Sequence, residues 1–241
     1  MRRDRTVVTL TPSSTEVEQV VPRPLPAKDA MPEWFKAIPP FSQATEALHT
    51  IVTAEPRRQP SVKRCVPFVD AFGLGYVQET WCDILIETTD GQIRFEWAAG
   101  PQPLEIRNNA QSLMPIGDEY LQAEFAWQQP WYVGLPPGYS LLVTHPLNRW
   151  DLPFVSTSGV VDNSHTMRIP FGRIPFLVKR GFSGVIPVGT PMFQLIPFKV
   201  DSWRRKDDRL DEASLNRLAF KVNQRFTGWY RESVWQRKVF K

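Results

Sequence analysis

The sequence predicts a mainly β protein: a sandwich or barrel of short strands, with an extended proline-rich N-terminal arm and a short C-terminal helix. The chain has 241 residues, of which 23 are proline, and proline interrupts helices by removing an amide donor. Hydrophobic residues make up 42%, including 9 Trp and 15 Phe, which is enough apolar area for a core. Apolar runs recur about every ten residues between turn residues, as is typical of sandwiches and barrels.

The first element is the proline-rich segment over residues 1–60, in which short apolar runs alternate with prolines. Such a segment cannot form a core alone. We expect it to lie as an extended arm across a surface, either that of its own domain or that of a neighbouring subunit. Trp34 and Phe35 are adjacent large aromatics and are the predicted interface anchors of this arm.

The β-domain is predicted over residues 61–200. The run from Cys65 to Val77 predicts one helical turn closed by glycine, followed by strand candidates. Two alternating apolar runs, 82–89 and 92–97, flank Asp90-Gly91, which is a strong hairpin signal because glycine accepts the positive φ of the turn. Further strands are predicted around 125–127, 131–133, 139–144, 159–161, 167–171, 176–179 and 192–198.

A helix is predicted only in the C-terminal segment, residues 201–241. One predicted helical face ends before Gly228 and carries apolar residues at helical spacing: Leu215, Leu218, Ala219, Val222 and Phe226. The basic stripe beside that face consists of Arg217, Lys221 and Arg225. The segment holds 11 basic and 6 acidic residues, whereas residues 1–200 hold 18 basic and 19 acidic. The stripe is either a solvated helix face or a contact for phosphate or an acidic protein.

The C-terminal aromatics are also candidate interface residues. Trp229, Tyr230 and Trp235 lie among arginines and lysines, and aromatic residues with arginine are enriched at protein interfaces.

No catalytic constellation is visible in the sequence. It lacks the nucleophile-elbow, phosphate-loop, dinucleotide-binding and CxxC patterns. Cys65 and Cys82 are expected to pack as small hydrophobes. His145 and His165 lie near acidic residues, but without metal-ligand spacing, so we interpret both as hydrogen-bonded structural histidines. Neither a metal nor a cofactor is therefore predicted.

The sequence also predicts no membrane association. The N-terminal apolar run 7–10 is too short for a signal-peptide core, and no run approaches the roughly 18 apolar residues of a membrane span. We expect the protein to be made and kept in a reducing, cytosol-like space.

Residues 138–198 resemble the β-core of the dUTPase and dCTP-deaminase superfamily. The resemblance rests on the turn Gly159-Val160-Val161-Asp162 and on a later glycine-led strand that contains Gln194. It implies a jelly-roll-like or dUTPase-like scaffold and a nucleotide pocket between the subunits of a trimer, with Asp162, His165 and Gln194 as the ligand-binding residues. Ser164-His165-Thr166 replaces the usual Tyr and Gly after the aspartate turn, which favours a scaffold that has lost the activity.

A larger set of motifs, spread over residues 31–241, resembles an uncharacterised protein family of tailed bacteriophages and prophages. The motifs are Trp34-Phe35-Lys36, Cys65-x-Pro67-Phe68-x-Asp70-Ala71, Pro137-Gly138-Tyr139-Ser140, His145-Pro146-x-Asn148-Arg149, Gly159-Val160-Val161-Asp162 and Gly189-Thr190-Pro191-x-x-Gln194. The resemblance implies a phage setting and conveys no activity.

Two main hypotheses follow. The first is a non-enzymatic structural or assembly component of a phage particle, at the head surface, neck or tail, that forms a homo-oligomer and contacts other phage structural proteins. It would reside in the virion, and in the host cytoplasm during assembly. The alternative is a nucleotide-binding or nucleotide-hydrolysing protein on the dUTPase-like core. Nucleic-acid binding through the basic stripe is a third, less favoured possibility.

Overall fold

Antiparallel strands dominate the structure, a computed structural model that describes residues 6–41, 60–89, 92–107, 113–162, 172–209, 211–224 and 229–241. The strands are β1 (Thr9–Pro12), β2 (Leu25–Pro26), β3 (Tyr76–Glu79), β4 (Ile84–Thr89), β5 (Gln92–Trp97), β6 (Leu104–Arg107), β7 (Glu124–Gln128), β8 (Trp131–Gly134), β9 (Tyr139–Thr144), β10 (Phe154–Ser156), β11 (Gly159–Val161), β12 (Arg173–Val178), β13 (Gly184–Ile186) and β14 (Pro191–Lys199). The helices are α1 (Thr15–Val20), α2 (Glu33–Ala37), α3 (Val66–Phe72), α4 (Glu212–Gln224) and α5 (Trp229–Ser233).

The strands form four sheets within these ranges. Their orders are β11-β9-β14-β3-β2, β10-β12-β7-β6, β13-β4-β5 and β1-β8, and each of these pairs is antiparallel. The predicted mainly β, sandwich-like class is therefore confirmed.

The core is contributed by the inner faces of the three larger sheets. Residues alternate between core and solvent along a strand, so Leu141 and Val143 of β9 face inward together, as do Phe176 and Val178 of β12. Trp127 of β7 is fully buried, and its ring stacks on Phe176 with centroids 3.8 Å apart and planes within 6°. Dispersion contacts among these aromatics hold the layers together.

Several local predictions are confirmed. In the β4-β5 hairpin Thr89 pairs with Gln92, which leaves two residues for the loop. Helix α3 has proline in its first turn and ends at Gly73. Strands are found at the other predicted positions except 167–171, which lies outside the described residues. Cys82 is buried as expected, whereas the prediction for Cys65 is wrong: it precedes α3 and is exposed.

The N-terminal segment differs from the extended arm expected over residues 1–60. Over the described range 6–41 it lies across its own domain and contributes secondary structure to it: β1 pairs with β8, and β2 pairs with β3. Ser14 caps α1 by accepting a hydrogen bond from the amide of Val17 at 3.1 Å. The prolines start or flank these short elements; Pro32, for example, immediately precedes α2.

The C-terminal helix is found where its apolar face predicts it, as α4. The chain leaves the sheet after β14, where the Val200 amide donates to the Gly138 carbonyl at 2.8 Å. The described residues that follow, 201–209, 211–224 and 229–233, are here called the C-terminal excursion. Residues 201–209 and 211–220 are all exposed. The last eight residues, 234–241, are called the C-terminal strap because they return to the domain.

Candidate functional site

Gln194 is buried within the five-stranded sheet, and its carboxamide is hydrogen-bonded there. Its side chain is 1% exposed. The Oε1 atom accepts from the Leu147 amide at 2.8 Å, and Nε2 donates to the carbonyl of Ala71 at 3.1 Å and to the carbonyl of Leu74. Gln194 therefore ties β14 to the end of α3 and to the loop after β9, and both ends of its carboxamide are engaged.

Asp162 lies elsewhere on the same sheet. It follows β11, is exposed, and its Oδ1 accepts a hydrogen bond from the Ser140 hydroxyl at the start of β9. That contact joins the end of the edge strand β11 to the start of the neighbouring strand β9.

The structure does not bring Asp162 and Gln194 together. Gln194 pairs with Thr144 at one end of β9, whereas Asp162 bonds Ser140 near the other end. Four residues along a strand correspond to about 13 Å. His165, the third residue of the predicted ligand site, lies outside the described residues. The two residues that can be compared do not line one pocket within this chain.

His145 is held by hydrogen bonds at both ring nitrogens. Nε2 is 3.0 Å from the Arg149 carbonyl oxygen, and Nδ1 accepts from the Ser156 amide at 3.2 Å. This arrangement requires the neutral tautomer with the proton on Nε2. Burial lowers the pKa of His145, and the nearby Lys179 and Arg149 charges act in the same direction.

We therefore expect acid to destabilise the fold through His145. A pKa lowered by folding means that the unfolded chain binds the proton more tightly, so the stabilisation is complete above the ordinary value of 6.5 and is lost as pH falls below it. Urea unfolding of the wild type should give a smaller free energy of unfolding at pH 5 than at pH 7.5. The loss should shrink in His145→Gln. An identical pH dependence in both proteins would contradict this role.

A polar pair lies beside His145 on the same loop. The Arg149 guanidinium donates to both carboxylate oxygens of Asp151, at 2.9 to 3.2 Å, and holds the pKa of that carboxyl below its usual range despite an opposing effect of burial. Among the residues that the structure describes, no group of three or more His, Cys, Asp and Glu side chains could hold a metal ion.

The predicted anchors Trp34 and Phe35 pack within the chain. Phe35 is 3% exposed and contacts Phe72 with ring centroids 4.8 Å apart. Trp34 is half-buried and lies 5.7 Å from the ring of Trp150, which is 62% exposed. This aromatic cluster packs α2 against α3. Trp150 lies at the solvent-exposed side of the cluster.

The C-terminal candidates occupy three different environments. Trp229 is half-buried and Tyr230 is exposed on α5. Trp235, in the strap, is half-buried, and its indole Nε1 donates to Asp70 at 2.8 Å. Only Trp235 among them has a described polar contact with the β-domain.

The basic stripe is described in part. Arg217 is exposed and its Nε donates to the Ala213 carbonyl at 3.2 Å within α4. Lys221 lies one turn further along the same helix. Arg225 lies outside the described residues.

The largest exposed apolar side chains of the C-terminal excursion were not singled out in the sequence. Trp203 is 93% exposed in the coil before α4, and Phe220 on α4 is 64% exposed. Leu215 and Leu218 on another side of α4 are also exposed. The signal for Trp203 was present: a lone tryptophan in a charged run, Ser202-Trp203-Arg204-Arg205, is unexpected on a purely solvated surface.

A second exposed apolar surface lies at the β11 edge of the five-stranded sheet. Val160 is 64% exposed and pairs with Leu142 of β9; Phe198, at the end of β14, is exposed as well. In the ranges described above, β11 has a strand on one side only. An unpaired edge with apolar side chains is a surface that another chain can cover.

No family model matches the chain, and no curated protein matches it either. In the described part of the chain, no helix combines the length and the apolar character needed to cross a membrane. The candidate functional site consists of two exposed apolar surfaces, the C-terminal excursion and the β11 edge.

Proposed function

We propose that this protein is a non-enzymatic structural or assembly component of a bacteriophage particle, at the head surface, neck or tail, that acts through homo-oligomer and neighbour contacts. The ordered motifs over residues 31–241 support the phage setting. The observation that carries the assembly role is the exposed C-terminal excursion with its apolar side chains.

The C-terminal excursion leaves apolar side chains exposed to water. Large apolar side chains that are exposed together on one segment favour an interaction surface more than single exposed ones do. Four exposed apolar side chains lie within one stretch of eighteen residues: Trp203, Leu215, Leu218 and Phe220. Arginines and aspartates lie between them in the sequence. Tryptophan and arginine are enriched where protein surfaces meet. Burial against a neighbouring copy removes this area from water.

The finer fold that we propose is a jelly-roll-like or dUTPase-like sandwich. Its support is the arrangement of β9 and β14 as neighbours inside the five-stranded sheet, with the Gly159–Asp162 turn on the adjacent edge strand. In such a scaffold the edge beside β11 is free for subunit contacts, which agrees with the exposed Val160.

Two measurements test the proposal. Light scattering on the purified protein should report a homo-oligomer, and mass spectrometry of purified particles should find the chain among the structural proteins. A protein abundant in infected cells but missing from particles would refute the particle role. A monomer at micromolar concentration would refute the assembly role.

Leu218→Asp should weaken the homo-oligomer by ten-fold or more in dissociation constant, because a carboxylate would be buried where an apolar side chain packs. The matched control is Asn216→Asp, which adds the same charge on a different side of α4. Sedimentation at several concentrations measures both. Equal weakening in the two variants would mean that charge, and not the apolar face, is responsible.

A further inference from the structure

The C-terminal strap is held on the domain by a small set of specific contacts. The Trp235 indole and the Lys238 ammonium both donate to Oδ2 of Asp70, at 2.8 Å and 2.6 Å. Further along, the Tyr76 hydroxyl donates to the Lys241 carbonyl at 3.2 Å, and the Phe240 ring meets the Tyr76 ring edge-on at 5.9 Å.

The strap also forms one wall of a cleft. Val239 and Phe240 face Val8, Leu135 and Pro197 across a space of about 500 Å³. The opposite walls come from the N-terminal segment and the sheet, so the cleft exists only when the strap is docked. The strap site is defined as Asp70, Tyr76 and the opposite walls of the cleft, without the strap.

Most of the described residues between the domain and the strap are exposed. The coil 201–209 is fully exposed, and nine extended residues reach at most about 30 Å. The 13-residue helix α4 adds roughly 20 Å. This connection is long enough to carry the strap to a neighbouring molecule.

We propose that the strap of each copy docks on the strap site of an adjacent copy in the homo-oligomer. This inference rests on the proposed assembly function. All the strap contacts described above join the strap to the domain, so an exchange between identical copies preserves each of them. The exchange also places α4 between two domains, where Leu215 and Leu218 can be buried.

The occupant is a second copy because the strap site already shows what it binds. Asp70 accepts hydrogen bonds from the Trp235 indole and the Lys238 ammonium. Tyr76 contacts the ring of Phe240, two residues after Lys238. These three groups follow one another along the strap. Within an oligomer, the neighbouring strap is present at the high effective concentration of a tethered ligand, as is the chain's own.

Zero-length cross-linking of isotope-labelled copies tests the exchange. Equal amounts of unlabelled and ¹⁵N-labelled full-length protein are mixed by joint unfolding and refolding, and light scattering records the oligomer. A carbodiimide then couples the Asp70 carboxylate to the Lys238 amine. Mass spectrometry of the linked peptide pair should find one labelled and one unlabelled partner in about half of the pairs, as random mixing requires.

The controls and outcomes separate the two proposals. Lys238→Arg keeps the ion pair but cannot be coupled, so this link should vanish while the oligomer persists. Linked pairs that are isotopically pure in a confirmed oligomer would overturn the exchange and leave the assembly function standing. Failure to find the link in the wild-type oligomer would overturn the exchange too. A monomer in light scattering would overturn both proposals.

Discussion

Trp127→Ala is expected to lower the free energy of unfolding by about 4 kcal/mol, because it removes a large buried ring and leaves a cavity that neighbouring strands cannot fill. Trp127 is fully buried and stacks on Phe176. Its indole Nε1 also donates to the Ser156 hydroxyl at 3.1 Å, which in turn donates to the Met192 carbonyl at 2.6 Å. The ring therefore links both large sheets.

Urea denaturation followed by circular dichroism measures this loss. The matched control is Trp203→Ala, which removes the same side chain from a site where it is 93% exposed, and which should change the free energy of unfolding of the monomeric unit by less than about 0.5 kcal/mol. The loss in free energy of unfolding for Trp127→Phe should lie between the losses for Trp127→Ala and Trp203→Ala. Equal losses at residues 127 and 203 would contradict the placement of Trp127 at the centre of the core.

Gln194→Leu is expected to cost about 3 kcal/mol although the side chains are similar in volume. The substitution leaves the Leu147 amide and the Leu74 carbonyl without their partner, and each buried unpaired group costs about 1 to 3 kcal/mol. The loss should be larger than for a surface glutamine because water cannot replace the carboxamide there.

Thermal unfolding with and without deoxynucleotides separates this role from ligand binding. A structural Gln194 predicts a lowered melting temperature in Gln194→Leu and no nucleotide-dependent shift in either protein. A pocket residue predicts an unchanged melting temperature and a nucleotide shift that the variant loses. Gln92→Leu, at an exposed position on β5, is the control for the substitution itself.

Elements whose signals are local could be predicted from the sequence. The β4-β5 hairpin follows from Asp90-Gly91 between alternating runs, and α4 follows from leucines at helical spacing. The short strands β6, β10 and β13 were missed because so few residues show little alternation, although β11, which is as short as β10 and β13, was predicted.

The candidate site was harder to predict. Asp162 and Gln194 stand out in a sequence motif, yet a motif does not say which end of a sheet each residue occupies. Trp235 was selected for its residue type, while its partner Asp70 lies 165 positions away in a motif that says nothing of this contact. Such a pair exists only because the chain returns to α3.

The sequence by itself determined that this is a mainly β protein with a C-terminal helix, because proline content, alternation and helical spacing act over a few neighbouring residues. Only the tertiary structure decided that the proline-rich segment over residues 6–41 belongs to the domain, and that the carboxamide of Gln194 is buried and hydrogen-bonded inside the sheet. It also decided that residues 201–209 and 211–220 are left exposed. Strand pairing and burial depend on contacts between residues far apart in the chain, so patterns of neighbouring residues do not predict them.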